Sequence, residues 1–305
     1  MINLNRMKNI FIKLGEIDRR YIFVLIALSV LIPLVKSDWI KMPIKTTQNT
    51  QIVFDELSKL NKDDKILVSF EYGASTKPEI HPMAIALLNQ MFSKGIKVYI
   101  ISLWPEGVIM AKDVVTNVID SGIFQLVDGV DYVMFDYKVG GEIVIKNIAS
   151  DFRGVYMQDI NKKSISQIPM MKDIYSVEDF DFVFDLSAGV PGNAEWVQYA
   201  CDPKNVPLSS GCTSIMVTDA IPYVESGQLK GILAGMPGAA EYENLVYNFM
   251  KNDLENEKIV NFENILPGKA TSRMSAQSLA HIIMVLFIIV GNVSYFLSRK
   301  KGNRF

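Results

Sequence analysis

Three carboxylates in this chain sit at or just after short apolar runs. Glu71 falls near the end of 65–72 (KILVSFEY), Asp136 directly follows 130–135, and Asp185 lies near the end of 180–186 (FDFVFDL). If such runs are parallel strands, their carboxyl ends share one rim, and ligands collect beyond it. Glu71, Asp136 and Asp185 on one rim could hold a hard divalent cation, which prefers oxygen ligands. That arrangement would suit a metal-assisted hydrolase or transferase. The plainer expectation is that Asp136 and Asp185 cap helix starts or loop amides.

Two glycine-bearing loops, 187–192 (SAGVPG) and 235–238 (GMPG), each precede a helical stretch. Backbone amides at a helix start can cradle an anion, which makes Gly189, Gly192, Asn193 and Gly238 candidates for an anion-binding loop. Neither loop reads GxxxxGK[ST] or GxGxxG, so neither implies a nucleotide. The glycines equally suit positive φ and close backbone approach. Ser209, Ser210 and Cys212 lie where a nucleophile would sit, but GxSxG is absent. A Cys212–His81 pair is conceivable, although His81 before Pro82 is more simply a loop residue. No cofactor is indicated.

The elements that must position these residues alternate. Helical periodicity over 46–60 is followed by an apolar strand at 65–72 and a helix at 83–93 that Pro82 opens and Lys94-Gly95 stops. Strand 96–103, helix 105–122, strand 130–135 and helix 142–150 continue the pattern. After a less regular excursion, 152–179, come strand 180–186, helix 193–200, strand 206–209, helix 219–226, strand 229–234 and helix 237–251. Continuously apolar strands alternating with helices predict an α/β fold: a Rossmann-like, mostly parallel sheet of about six strands, buried on both faces.

Composition narrows the function classes. The net charge is −2, and no basic stripe interleaves with aromatics, so nucleic acid is not an expected partner. With two His in the chain, a zinc site built on several His is excluded. Cys201 is expected at a helix end and Cys212 just past a strand. About five residues of strand would separate them, roughly 15 Å, too far for a disulfide. Two unpaired buried thiols are expected.

The organisation of the whole chain turns on 276–297, AQSLAHIIMVLFIIVGNVSYFL, which has no charged residue. Its length suffices to cross about 30 Å of hydrocarbon. Arg299, Lys300, Lys301 and Arg304 follow it, a cytoplasmic flank by the positive-inside rule. A second apolar run, 21–35, follows Arg6, Lys8, Lys13, Arg19 and Arg20. No small-residue cleavage pattern follows that run, so a signal anchor is expected rather than a signal peptide. The expected organisation is a cytoplasmic segment at 1–20, carrying an amphipathic hint, and a first span at 21–40. An extracytoplasmic α/β domain at 41–273, a second span at 274–298 and a basic tail at 299–305 complete it. The chain would sit in the cell membrane with both termini cytoplasmic. Within the second span, His281 and Asn292 share a face and Gly291 permits close approach. These three residues are expected to contact another helix.

The stretch 226–245, SGQLKGILAGMPGAAEYENL, resembles a segment of uncharacterised bacterial membrane proteins. Its GQLKG and GAAEYE parts carry the likeness, with 131–141 following more loosely. The resemblance implies the same arrangement, a span, an α/β domain and a C-terminal span, and implies no activity. Taken together, the expected role is a binding or assembly component of a membrane protein complex. Its partners would be the bilayer and either a membrane protein or a second copy. The alternatives are the metal-assisted enzyme and a ligand-capturing domain of a transporter.

Overall fold

The structure is a computed structural model that describes residues 17–35, 44–252 and 269–302. It divides into two compact units. One is Ile44–Thr271; the other joins Met1–Pro43 with Ser272–Phe305. Most of the expected cytoplasmic segment 1–20, the end of the expected first span, and Arg304 lie outside the described residues.

The chain first forms helix α1 (Arg19–Val35). The α/β unit then runs α2 (Gln48–Ser58), β1 (Lys65–Glu71), α3 (Lys77–Lys94), β2 (Lys97–Ile101), α4 (Pro105–Asp120) and β3 (Tyr132–Met134). Next come α5 (Glu142–Ser150), α6 (Phe152–Val155), three short 3-10 turns and β4 (Phe182–Ser187). One helical segment follows, made of α7 (Asn193–Trp196), a π turn (Val197–Cys201) and α8 (Asp202–Lys204). The unit ends with β5 (Leu208–Cys212), α9 (Val217–Glu225), β6 (Ile232–Ala234) and α10 (Gly235–Asn252). Helix α11 (Lys269–Gly302) closes the described chain.

All six strands form one parallel sheet in the order β3-β2-β1-β4-β5-β6. The order reverses between β1 and β4, which makes their carboxyl ends the topological switch point. Parallel strands need both faces covered, and these strands are built for it: all but the first residue of β1 and every residue of β4 is buried. Helices α2, α3, α4 and α10 pack together on one side, while α5, the α7–α8 segment and α9 pack together on the other. The second side holds a core that includes Leu67, Val183, Leu208, Phe152, Tyr156 and Trp196.

Several expected boundaries shift. Helix α3 begins at Lys77 rather than after Pro82, so His81 is a buried helical residue and not a loop residue. Pro78 supplies the favourable first-turn proline, and Pro82 is accommodated one turn inside. Strand β5 extends to Cys212, which therefore lies within the strand rather than past it. Cys201 and Cys212 are both buried and unpaired.

Helix α11 has 34 residues, and its stretch Ala270–Leu297 is long and apolar enough to cross a membrane. Helix α1 has 17 residues, about 26 Å at 1.5 Å per residue. It exposes Tyr21, Phe23, Val24, Leu25 and Leu31. Among the described residues, α11 alone meets the length and hydropathy that mark a candidate span.

Candidate functional site

The switch point concentrates polar groups on one face of the sheet. Parallel register pairs Ser69 with Asp185 and Glu71 with Ser187, and then Asp185 with Ser210 and Ser187 with Cys212. Side chains two residues apart share a face. So Ser69 and Glu71 of β1, Asp185 and Ser187 of β4, and Ser210 and Cys212 of β5 form a ladder. Leu67, Val183 and Leu208 stand in the same rows and belong to the core beneath α5 and α7. The ladder therefore faces that side of the sheet.

Glu71 and Asp185 are fully buried. Ser69 Oγ donates to Glu71 Oε1. Asp185 Oδ2 accepts from Ser187 Oγ at 2.7 Å and from Ser210 Oγ at 3.0 Å. Burial pushes the Glu71 carboxyl well above its ordinary range, and the adjacent Asp185 charge pushes it further. Burial also raises Asp185, opposed by hydrogen bonds from Glu71, Ser187 and Ser210. Two carboxyl groups this close cannot both ionise cheaply.

Around this pair lie further buried polar atoms without hydrogen-bond partners. They are Glu71 Oε2, Asp185 Oδ1, both amide atoms of Asn193, Trp196 Nε1 and the Tyr156 hydroxyl. Asn193 and Trp196 belong to α7, which packs on β4 and β5. Trp196 and Tyr156 share the core under the ladder, and the Tyr156 hydroxyl is raised by burial and by the Glu71 carboxyl. An open hollow of about 420 Å³ is lined in part by Lys138, Asn147, Ser150 and Asp151, beside α5 and α6. Lys138 Nζ lies 5.4 Å from the centre of the Tyr156 ring.

The expected carboxylate triad is only partly assembled. Glu71 and Asp185 meet, but Asp136 follows β3 at the sheet edge, with β2 between it and β1. It is exposed and pairs with Lys162 at 3.2 Å, whose hydrogen bond lowers its pKa. Among the described residues, no group of three or more His, Cys, Asp or Glu side chains gathers as a metal site.

In the first candidate anion-binding loop, 187–192, a side chain of the chain itself takes the amide. Glu195 Oε2 accepts the Gly192 amide at 2.8 Å, so a carboxylate of the chain itself occupies the helix start. Gly189 and Gly192 serve close packing. A Cβ on Gly189 would stand 3.1 Å from the Trp104 ring, and one on Gly192 would stand 2.5 Å from the Gly189 carbonyl oxygen. Gly238 lies inside α10, backed onto Leu233.

The nucleophile pairing also dissolves. His81 lies between the Tyr72 hydroxyl, 3.0 Å from Nδ1, and Asp113, 3.1 Å from Nε2. Burial, with Asp185 and Glu79 nearby, pushes the Cys212 thiol up to about 12. A thiol that stays protonated is a poor nucleophile.

In α11, His281 and Asn292 are exposed, and Asn292 Nδ2 donates to the Ile288 carbonyl at 2.9 Å. A Cβ on Gly291 would meet nothing within 4 Å. No family model, curated protein or solved structure matches this chain.

Ser69, Ser187 and Trp196 are parts of the site that the sequence reading did not single out, while Ser210 and Asn193 were expected in other roles. The ladder has a sequence signal: polar residues two apart in strands that are otherwise apolar, as in S-F-E, D-L-S and S-G-C.

Proposed function

We propose that the chain is a membrane-anchored α/β module that works as a binding or assembly component of a membrane protein complex. The observation that carries this reading is the surface of α11. Its Ile282, Val285, Leu286, Ile288 and Ile289 are all about half exposed or more. Water disfavours such a surface, and lipid or another apolar helix accepts it. His281 and Asn292 lie on the same helix, and polar groups in a span ordinarily face protein.

In this reading α1 serves as a first span, both termini are cytoplasmic, and the α/β unit projects on the far side. The basic residues before α1 and at the end of α11 support that orientation.

The test is purification of the full-length chain in mild detergent, with mass spectrometry of what copurifies. A stoichiometric membrane protein or a defined homo-oligomer is expected, with recovery lowered by Asn292→Leu. A lone monomer with unchanged behaviour in the variant would overturn the assembly role. Protease protection in sealed vesicles tests the orientation separately.

A further inference from the structure

We infer that the switch point is a binding site for one hard divalent cation, held by Glu71 Oε2, Asp185 Oδ1 and the Asn193 side-chain carbonyl.

The first support is the division of labour within each carboxyl group. One oxygen is engaged by serine hydroxyls, Ser69 on Glu71 and Ser187 with Ser210 on Asp185. The other oxygen of each has no partner. Carboxylates that ligate metals are oriented in this way, with outer hydrogen bonds fixing one oxygen and the metal taking the other.

Asn193 is an independent observation. Its side chain is 1 % exposed, yet neither its donor nor its acceptor atom has a partner. A buried amide in that condition is costly unless something satisfies it. Its position is fixed by its neighbour. Gly192 lies so close to β4 that a Cβ there would stand 2.9 Å from Ser187 Oγ, and Ser187 Oγ is bonded to Asp185. Asn193 is thereby held over the end of β4, on the face that carries the two carboxyl groups.

The ligand class follows from the donor set. Three oxygens, two of them carboxylate, suit Mg²⁺, Mn²⁺ or Ca²⁺ and not a thiophilic metal. The site differs from the expected rim triad because Asp136 takes no part. A neutral amide on α7 replaces it. The inference stands apart from the assembly role, since a lone monomer could bind the cation and a complex could form without it.

The test uses the full-length protein in detergent, stripped with EDTA and then loaded with Mn²⁺. Bound metal is counted by elemental analysis after desalting and followed by electron paramagnetic resonance. One Mn²⁺ per chain is expected, with Asp185→Asn losing it and Asp136→Asn keeping it. Asn193→Ala removes only the neutral ligand and should weaken binding at least tenfold; it decides the matter if Asp185→Asn does not fold. Absence of retained metal, or equal retention by wild type and Asn193→Ala, would overturn the site.

Discussion

Tyr72 and His81 are joined at the end of β1 by a hydrogen bond of 3.0 Å from the tyrosine hydroxyl to Nδ1. The direction is set from the far side of the ring. Nε2 faces the Asp113 carboxylate at 3.1 Å, so in the neutral imidazole Nε2 carries the hydrogen and Nδ1 accepts. Lys77 Nζ, 2.5 Å from the same Asp113 oxygen, completes the chain of contacts. It ties β1 to α3 and α4 through a tyrosine with no exposed surface.

Tyr72→Phe keeps the ring and removes only that donor to a buried imidazole. Losing one partner of a buried hydrogen bond costs about 1–3 kcal/mol. Urea unfolding of the variant should show that loss with an unchanged slope. An equal midpoint would mean the bond contributes nothing to stability.

The Glu71–Asp185 pair makes stability depend on pH in a defined direction. Both carboxyl pKa values are raised by burial, so the native state holds a proton that the unfolded chain releases. The contribution is full below the ordinary carboxylate range and is lost as pH rises from there through the raised native value. One such proton gives a slope of up to about 1.4 kcal/mol per pH unit. Glu71→Gln keeps the size and polarity of the side chain and has nothing to ionise. In EDTA, its stability should fall less steeply with pH than that of wild type, and the variant should be the more stable at pH 8. Parallel curves for the two proteins would show that the pair holds no native-specific proton.

Much of this site could be read from the chain, and the parts that could not have identifiable causes. The α/β alternation is written in apolar runs and helical periodicity, and helix 142–150 falls where those signals place it. Strand order is not local information. It depends on how the crossover through 152–179 returns the chain beside β1, and that return puts β4 next to β1 while leaving β3 at the edge. Glu71 and Asp185 are thereby joined and Asp136 is parted from them. Pro82 reads as a helix start because it lacks an N–H. Pro78, four residues earlier, fits that role as well, and the longer helix buries His81.

The two thiols should be unreactive in the folded protein. Cys201 and Cys212 are buried and unpaired, and burial raises both thiols, Cys212 to about 12. Thiolate, the reactive form, is therefore scarce at pH 8. A disulfide-exchange reagent such as DTNB should label neither Cys in the native state and both after denaturation. Rapid native labelling of Cys212 would restore it as a candidate nucleophile. A denatured, unreduced sample lacking both free thiols would reveal a bridge.

Glycine-to-alanine changes at two positions separate packing inside the chain from contact with another chain. At Gly238 a Cβ would stand 2.8 Å from the Leu233 carbonyl carbon and 3.1 Å from its Cα. Backbone cannot swing aside as a side chain can, so overpacking should cost about 1–3 kcal/mol. At Gly291 a Cβ meets nothing within 4 Å, and alanine in a helix interior is favoured over glycine by about 1 kcal/mol. Gly291→Ala should therefore leave the chain's own thermal stability unchanged or slightly raised. If that variant nevertheless loses a copurifying partner, the methyl group must collide with a different molecule, which places the contact face of α11 at Gly291. If recovery is unchanged, close helix approach at Gly291 is excluded. A stability loss as large as that of Gly238→Ala would mean that Gly291 already packs against its own chain.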